Sequence, residues 1–137
     1  MTYVNTFNDL EIQRIRDIAK SGPDEPVLML NLNYYSVEAD FPNGVLYKRY
    51  MAVLAKLLPA VGAEVLWRHQ VNGQVAGEQK VHEALALWYP THQAFLDLRN
   101  APGAEENFGL RALAVEHGVI HRLSGYAHPF RPSESDA

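Results

Sequence analysis

Residues 27–36, VLMLNLNYYS, restrict the possible folds of this chain more than any other segment. Successive side chains of a strand point to opposite faces of its sheet. Here both faces are apolar, since Val27 and Met29 point one way while Leu28 and Leu30 point the other. Helices packed on one face would leave the second face in water, which is unfavourable for a sheet this apolar. We therefore expect a sheet that is covered on both sides.

The order of the predicted elements indicates which kind of sheet this is. Periodicity, capping residues and turn residues predict a first helix from Asn8, with Glu11 completing a capping box, and then the strand over 26–35. A helix from Val45 follows, which stops or kinks at Pro59 and ends at Gly62, and after it come the strand AEVLWRHQV, a hairpin turn at Asn72 and Gly73, and the strand EALALWYP. The last predicted elements are a short helix opened by Thr91, a helix over 104–116 terminated by Gly118, and the strand VIHRLSGYAH. Without the first helix, this order is the split βαββαβ pattern of α+β ferredoxin-like folds. We expect the first and third strands to lie at the centre of the sheet, parallel to each other.

The chain is expected to hold one folded domain with an extension at each end. Its 137 residues, 47% of them hydrophobic, suffice for a single core. The expected divisions are an N-terminal helical extension (1–25), the ferredoxin-like domain (26–128) and a flexible tail (129–137) with too few apolar residues to pack. Because helices cover only one face of such a sheet, the second apolar face is expected to meet the same face of another copy, in a homodimer.

Several blocks of sequence carry a resemblance to a known family. The segments PVLMLNL, LYKRYM, LLPAVGAEVLW, ALALWYPTHQAFLDL and the arginine of GLRALAVEHG, over about residues 26–125, resemble the domain-of-unknown-function family 1330 of the dimeric α/β barrel superfamily. The resemblance implies a ferredoxin-like protomer and a homodimer. It implies little about function, because better-understood members of the superfamily include cofactor-free aromatic monooxygenases, small lactone isomerases, haem-handling enzymes and ligand-sensing regulatory domains.

Two amides interrupt the apolar strand. Asn31 and Asn33 share a face with Met29, so they lie beside apolar surface. Asn31, near the centre of the sheet, can present its amide to a ligand carbonyl or oxyanion held between the sheet and the helices. The alternative is a buried amide satisfied by neighbouring backbone or by a bulge.

Aromatic residues and one histidine fall on the predicted second and third strands. Trp67 and His69 share a face of the second strand, and Trp88 lies on the third. Together they can line a pocket for a planar compound, with His69 as its base. The alternative is that the aromatic side chains belong to the core or to a dimer interface.

A single arginine falls on or beside the inward side of the last predicted helix. Helical spacing groups Arg111 with Phe108. A guanidinium in that position must be paired, either with a carboxylate of the protein, such as Glu64 or Asp97, or with one on a ligand. Tyr50, on the amphipathic helix after residue 45, offers a hydroxyl at the same level, or belongs to the core.

Two functions from different classes fit these residues. In the first, the protein is a cofactor-independent oxygenase or isomerase of a small phenolic or enolic compound, with Asn31, His69 and Arg111 as catalytic residues. Tyr50, Trp67 and Trp88 would then bind the ligand. In the second, the protein is a non-catalytic dimer that binds a metabolite or is associated with stress. The first requires His69 to lie inside a cavity, and the second places these side chains in solvent or at the dimer interface.

Composition argues against several other classes. The chain has no cysteine, which excludes disulfide scaffolds and fits the cytoplasm. Its net charge of −4, without a basic stripe, makes nucleic acid an unexpected partner, and no apolar stretch is long enough to predict a membrane span. His117 and His121 have the spacing of a helical metal pair, but Gly118 separates them, so no metal site is expected. No cofactor is predicted, and no motif supports haem ligation.

Overall fold

The computed structural model describes residues 7–131 of the chain. Four strands and four α-helices follow one another as α1 (Asp9–Ser21), β1 (Val27–Tyr35), α2 (Val45–Leu57), β2 (Glu64–Gln70), β3 (Glu83–Tyr89), α3 (His92–Asp97), α4 (Ala104–Ala114) and β4 (Val115–Leu123). Short 3₁₀ turns, Leu58–Val61 and Leu98–Asn100, extend α2 and α3. This order, including α1, is the one predicted from the sequence.

The strands form one antiparallel sheet in the order β2-β3-β1-β4. β1 and β3 occupy the centre as predicted, but they pair antiparallel, with Leu28 opposite Trp88 and Asn31 opposite Leu85. The predicted parallel pairing is wrong. In a split βαβ unit the strands joined through a helix run parallel, and the strand inserted between them is antiparallel to both.

The helices pack on one face of this sheet, which we call the inner face. Val27, Met29 and Tyr35 of β1 point to it, as do Leu85 and Leu87 of β3. α1 packs against α3 and contributes Ile12 and Ile15 to the same core. The N-terminal helix therefore takes part in the core of the domain.

The opposite, outer face carries a second apolar cluster. Leu28, Ala86 and Trp88 are buried there, with Leu30, Leu66 and Phe130 packed around them. No helix of the described residues covers this cluster. Phe130, together with Arg131, whose guanidinium lies 4.0 Å from the ring of Trp88, shields one end of the face. The expectation that the tail does not pack is thus wrong for its first part, because Phe130 finds an apolar partner, while residues 132–137 lie outside the described residues.

Two local predictions are also corrected. Asn72 and Gly73 do not form a two-residue hairpin turn, because the paired strands β2 and β3 are joined by the long loop 71–82, in which the Val71 N–H donates to the His82 carbonyl at 2.8 Å. The last helix ends at Ala114, and the strand begins directly at Val115, before Gly118. Val115 is already paired with Tyr35 of β1, so residues 115 and 116 belong to the strand and do not continue the helix.

Candidate functional site

The candidate site lies between the inner face of the sheet and helices α1, α3 and α4. It consists of an outer chamber of about 310 Å³ between α1 and β4 and an adjoining inner chamber of about 50 Å³ between the centre of the sheet and α4. The two chambers share five wall residues, namely Phe7, Met29, Phe95, Arg111 and Ile120. An apolar space with a few polar side chains directed into it is the usual form of a small-molecule site.

Arg111 is the charged group common to both chambers. It lies on α4 and is only 9% exposed. No carboxylate of the described chain forms an ion pair with it. Both partners suggested by the sequence are engaged elsewhere, since Glu64 pairs with Arg131 at 3.2 Å and Asp97 accepts a hydrogen bond from Gln93 at 2.8 Å. The expectation of a structural ion pair is therefore wrong for Glu64 and Asp97, and the guanidinium charge is not neutralised by either of them.

Tyr50 is the side chain that Arg111 does contact. The Arg111 guanidinium lies within electrostatic and hydrogen-bonding reach of the Tyr50 hydroxyl, and both groups line the inner chamber. Burial raises the pKa of Tyr50, and the charge and hydrogen bond of Arg111 only partly oppose this. Tyr50 is therefore a neutral hydroxyl at physiological pH, with its own proton available for a further hydrogen bond.

Two asparagine side chains also line the inner chamber, in addition to Tyr89 and Arg99. Asn31, on β1, donates from Nδ2 to the Met29 carbonyl at 3.1 Å, which fixes the orientation of the amide and leaves Oδ1 without a donor among the described residues. Asn107, one turn before Arg111 on α4, is 2% exposed, and its Oδ1 is buried without a hydrogen bond. The Asn31 NH₂ group is therefore bound by backbone, which agrees with the alternative of an amide satisfied by neighbouring backbone, whereas no hydrogen bond from the described residues is seen at its Oδ1.

A second buried polar cluster lies on the same side of the sheet. The Glu83 carboxylate accepts hydrogen bonds from the hydroxyls of Tyr35, at 2.6 Å, and Tyr47, at 2.8 Å. Burial and the bond to Glu83 raise the pKa of both tyrosines. Asn33 donates to the Tyr35 hydroxyl at 3.3 Å, so this second amide belongs to the Glu83 cluster and does not line either chamber.

His69, Trp67 and Trp88 lie on the outer face, away from the chambers. Trp67 pairs with Ala86 of that face, is 41% exposed, and stacks on His69 with the ring centroids 5.5 Å apart. Trp88 belongs to the outer apolar cluster. The single pocket expected from the sequence, with a planar substrate between the two tryptophans, is therefore wrong, whereas Asn31, Tyr50 and Arg111 do come together.

The outer chamber has a polar rim that connects two elements. Glu11 of α1 forms two hydrogen bonds with Arg122 of β4, at 2.5 Å and 3.3 Å. The hydrogen bond and charge of Arg122 lower the pKa of Glu11. The predicted capping box is wrong, because Asn8 makes no side-chain cap bond and Glu11 turns to Arg122 instead.

Sequence reasoning missed Asn107, Glu11 and Arg122 as parts of this site. Asn107 precedes Arg111 by four residues, the spacing that places two side chains on one side of a helix, so the sequence did contain a signal for it. The Glu11–Arg122 pair joins residues far apart in the chain, and no local pattern predicts such a contact.

Residues 7–131 contain neither a cluster of metal ligands nor a membrane-spanning helix. No three histidine or acidic side chains in this range are close enough to hold a metal ion. Within the same range, no helix has the length and apolar character needed to cross a bilayer.

The fold is found in solved structures of low sequence identity. The crystal structure of methylated RPA0582, a protein from Rhodopseudomonas palustris, matches with a TM-score of 0.74 and 23% identity, over 96% of this chain and 98% of that one. A DABB family protein with a ferredoxin-like fold from Mesorhizobium loti matches with a TM-score of 0.52 and 14% identity, over 72% of this chain and 95% of that one. A dimeric ferredoxin-like protein of unknown function from Thermobifida fusca also matches with 0.52 and 14%, over 74% and 92%.

These likenesses show the ferredoxin-like α+β fold and no activity. No family model matches the chain, so the resemblance to family 1330 is not confirmed. No curated protein matches it either.

Proposed function

We propose that this protein binds a small planar anion, a carboxylate or an enolate, in the two chambers between the sheet and the helices. The observation that carries the proposal is Arg111, a buried guanidinium that none of the described carboxylates pairs with, in a cavity lined mainly by apolar side chains. A buried charge without a partner is costly. A ligand anion would remove that cost, and this gives the site its preference for negative charge.

The dimensions of the chambers support a ligand with two parts. An anionic group fits the inner chamber, where Arg111 and the Tyr50 hydroxyl can both donate hydrogen bonds to it. The outer chamber of about 310 Å³, walled by Ile12, Ile15 and Phe95, suits an apolar body of the size of an aromatic ring.

The geometry favours binding over catalysis. An oxygenase or isomerase of phenolic or enolic compounds remains the second candidate, because Arg111 and Tyr50 could stabilise an enolate. Its expected base, His69, lies on the other face of the sheet. Among the residues that line the chambers, Glu11 is bound by Arg122, and His121 belongs to the outward register of β4, opposite Leu30. A proton-abstracting group beside Arg111 is therefore not provided by these residues.

We further propose that two copies associate through their outer faces. The apolar cluster around Leu28, Ala86 and Trp88 extends to the half-exposed Leu30 and the exposed Trp67, and Phe130 shields only one end of it. An apolar face of this kind is typical of an interface between copies. We also propose that the chain belongs to family 1330, on the basis of the sequence blocks over about residues 26–125, and that it is cytoplasmic, on the basis of its lack of cysteine.

Replacing Arg111 tests the proposed function. Benzoate is expected to raise the melting temperature of the wild type, while the neutral benzamide does not. In Arg111→Met the benzoate effect should be lost, because a hydrogen-bonded charge contributes about 1.5–3 kcal/mol, or roughly ten- to hundredfold in Kd. The ligand-free variant should be as stable as the wild type or more so, since methionine replaces an unpaired buried charge.

The control is Arg49→Met, which removes an exposed arginine paired with Glu106 at 3.1 Å on the surface. It should bind benzoate as the wild type does. The proposal fails if benzoate does not bind the wild type, or if Arg111→Met binds it equally well. A large loss of stability in ligand-free Arg111→Met would instead indicate that Arg111 serves the fold.

A further inference from the structure

The polar groups of the inner chamber are not all of the kind that an anion can satisfy. Arg111 and Tyr50 are donors, whereas Asn107 Oδ1 is a buried acceptor without a hydrogen bond, and the bond from Asn31 Nδ2 to the Met29 carbonyl leaves Oδ1 as the free end of that amide. A simple carboxylate or enolate has only acceptor atoms, so it would pair with the first two groups and leave the amide oxygens unsatisfied.

The orientation of the Asn31 amide makes this argument specific. Its Nδ2 is committed to the Met29 carbonyl at 3.1 Å, and an oxygen in that position would face another oxygen. The amide therefore cannot rotate by 180° without losing a buried hydrogen bond. Oδ1 is consequently fixed as an acceptor in a residue that lines the inner chamber.

Asn107 adds a second unpaired acceptor on the opposite wall. It is 2% exposed and lies on α4, one turn before Arg111, so a group bound beside the guanidinium is also beside this amide. Buried amide oxygens without a partner are uncommon in folded proteins, and each one costs free energy until a donor arrives.

We propose that the ligand of this site is an anion that also carries a hydroxyl group, such as a hydroxy-substituted aromatic carboxylate. Its anionic group pairs with Arg111 and Tyr50, and its hydroxyl donates to the amide oxygen of Asn31 or Asn107. This inference rests on the proposed function and narrows its substrate class. A site with amide oxygens that can accept from a ligand hydroxyl binds the analogue without that hydroxyl more weakly, because the amide oxygens then have no donor.

The test compares matched ligands by titration calorimetry on the wild type. Benzoate is compared with 3-hydroxybenzoate and 4-hydroxybenzoate, and each of these with its methoxy derivative, which keeps the oxygen and loses the donor. At least one hydroxybenzoate should bind about tenfold more tightly than benzoate and than its methoxy derivative, the factor expected for one buried hydrogen bond. If benzoate binds and no hydroxybenzoate binds better, the inference is overturned and the proposed function stands. If none of these acids binds, the proposed function itself is overturned.

Variants then locate the acceptor. Asn31→Leu and Asn107→Leu keep the approximate side-chain volume and remove the amide. In at least one of them the ratio of hydroxybenzoate affinity to benzoate affinity should fall to about one, because the acceptor for the ligand hydroxyl has been removed. Asn72→Ala, in the exposed loop 71–82, is the control and should keep the preference. A preference that persists in both leucine variants contradicts the assignment, and the wild-type ligand series remains decisive if either variant does not fold.

Discussion

Arg111 and Glu83 are oppositely charged, buried residues on the same side of the sheet, but their surroundings differ. Glu83 receives two tyrosine hydroxyls at 2.6 Å and 2.8 Å, so the protein itself satisfies its charge. The Arg111 guanidinium lies within hydrogen-bonding reach of the Tyr50 hydroxyl and faces a cavity. The two charges therefore differ in their partners: two hydroxyls of the protein bind the Glu83 carboxylate, whereas the Arg111 guanidinium lines a cavity that a ligand can enter.

Asp24 shows the same principle in a purely structural role. One carboxylate oxygen accepts from the backbone N–H of His92 at 2.6 Å and from its ring at 2.9 Å, and the other accepts from the Gln93 N–H at 3.0 Å. Burial alone would raise the pKa of Asp24, but these bonds from His92 and Gln93 outweigh it and lower the pKa below 3.8. The ionised carboxylate thus anchors the start of α3 to the segment before β1.

We predict that Asp24→Asn lowers the free energy of unfolding by about 1–2 kcal/mol at pH 7, as the loss of a helix cap does. Because the folded pKa lies below the unfolded one, the contribution of Asp24 is present above pH 3.8 and is lost as the pH falls through the folded pKa. Urea unfolding at pH 7 and pH 3 should therefore show a smaller difference between variant and wild type at pH 3. Glu78→Gln, in the exposed loop, should change neither value. A difference that is equal at both pH values would contradict this role.

At the scale of elements, β2 explains why the predicted pocket did not form. Trp67 and His69 would share a face with Val65 in a regular strand, and Val65 packs on the inner core. A bulge between Val65 and Trp67 shifts the register, so Trp67 and His69 point to the outer face. Strand periodicity correctly predicted that Trp67 and His69 share a face. It could not predict which face, because the bulge depends on the pairing of β2 with β3 and is not visible in the sequence of β2 alone.

The positions of the helices were more predictable than the strand register, because apolar spacing along a helix is a local pattern.

Gly44 is the residue directly before α2, and a Cβ atom there would lie 2.0 Å from the Ala39 carbonyl oxygen and 2.7 Å from that of Asp40. We predict that Gly44→Ala costs about 1–3 kcal/mol or more, since backbone atoms must move. Gly109→Ala, inside α4 with nothing within 4 Å of the new Cβ, is the matched control and should stabilise by about 1 kcal/mol. Thermal unfolding of both variants checks the pair, and a neutral Gly44→Ala would show that the loop before α2 adapts freely.

At the scale of the whole molecule, two sequence features predicted the fold. The strand with apolar residues on both faces, over 27–32, and the order of the elements together indicated the ferredoxin-like fold, which the solved structures share. Asn31, Tyr50 and Arg111 were expected in one site and do line the inner chamber, although they come from three different elements. The contact between Glu11 and Arg122 was not predictable, because no local pattern relates residues so far apart in the chain. Leu28 belongs to the apolar cluster on the outer face, and Leu30 packs against it, so this face is the surface proposed for self-association.

Association through that face is a prediction about the molecule as a whole. Leu30 lies at the centre of the outer face, opposite Ala86 on one side and His121 on the other. In a dimer it would be buried between two sheets, where a carboxylate is costly. The wild type should therefore sediment as a dimer at micromolar concentration, and Leu30→Glu as a monomer. Val37→Glu, at an 89% exposed position in a loop, should remain dimeric.

Tryptophan fluorescence gives an independent measurement of dimer formation through the outer face. Both tryptophans of the chain, Trp67 and Trp88, lie on the outer face, and Trp67 is 41% exposed in the single copy. Dimer formation should bury Trp67, so the emission maximum of the wild type should shift to longer wavelength on dilution, while that of Leu30→Glu should not depend on concentration. A wild-type protein that sediments as a single copy, with emission independent of concentration, would mean that the outer face is not the site of self-association. In that case its apolar surface would have to be explained by Phe130 and Arg131 of the same chain.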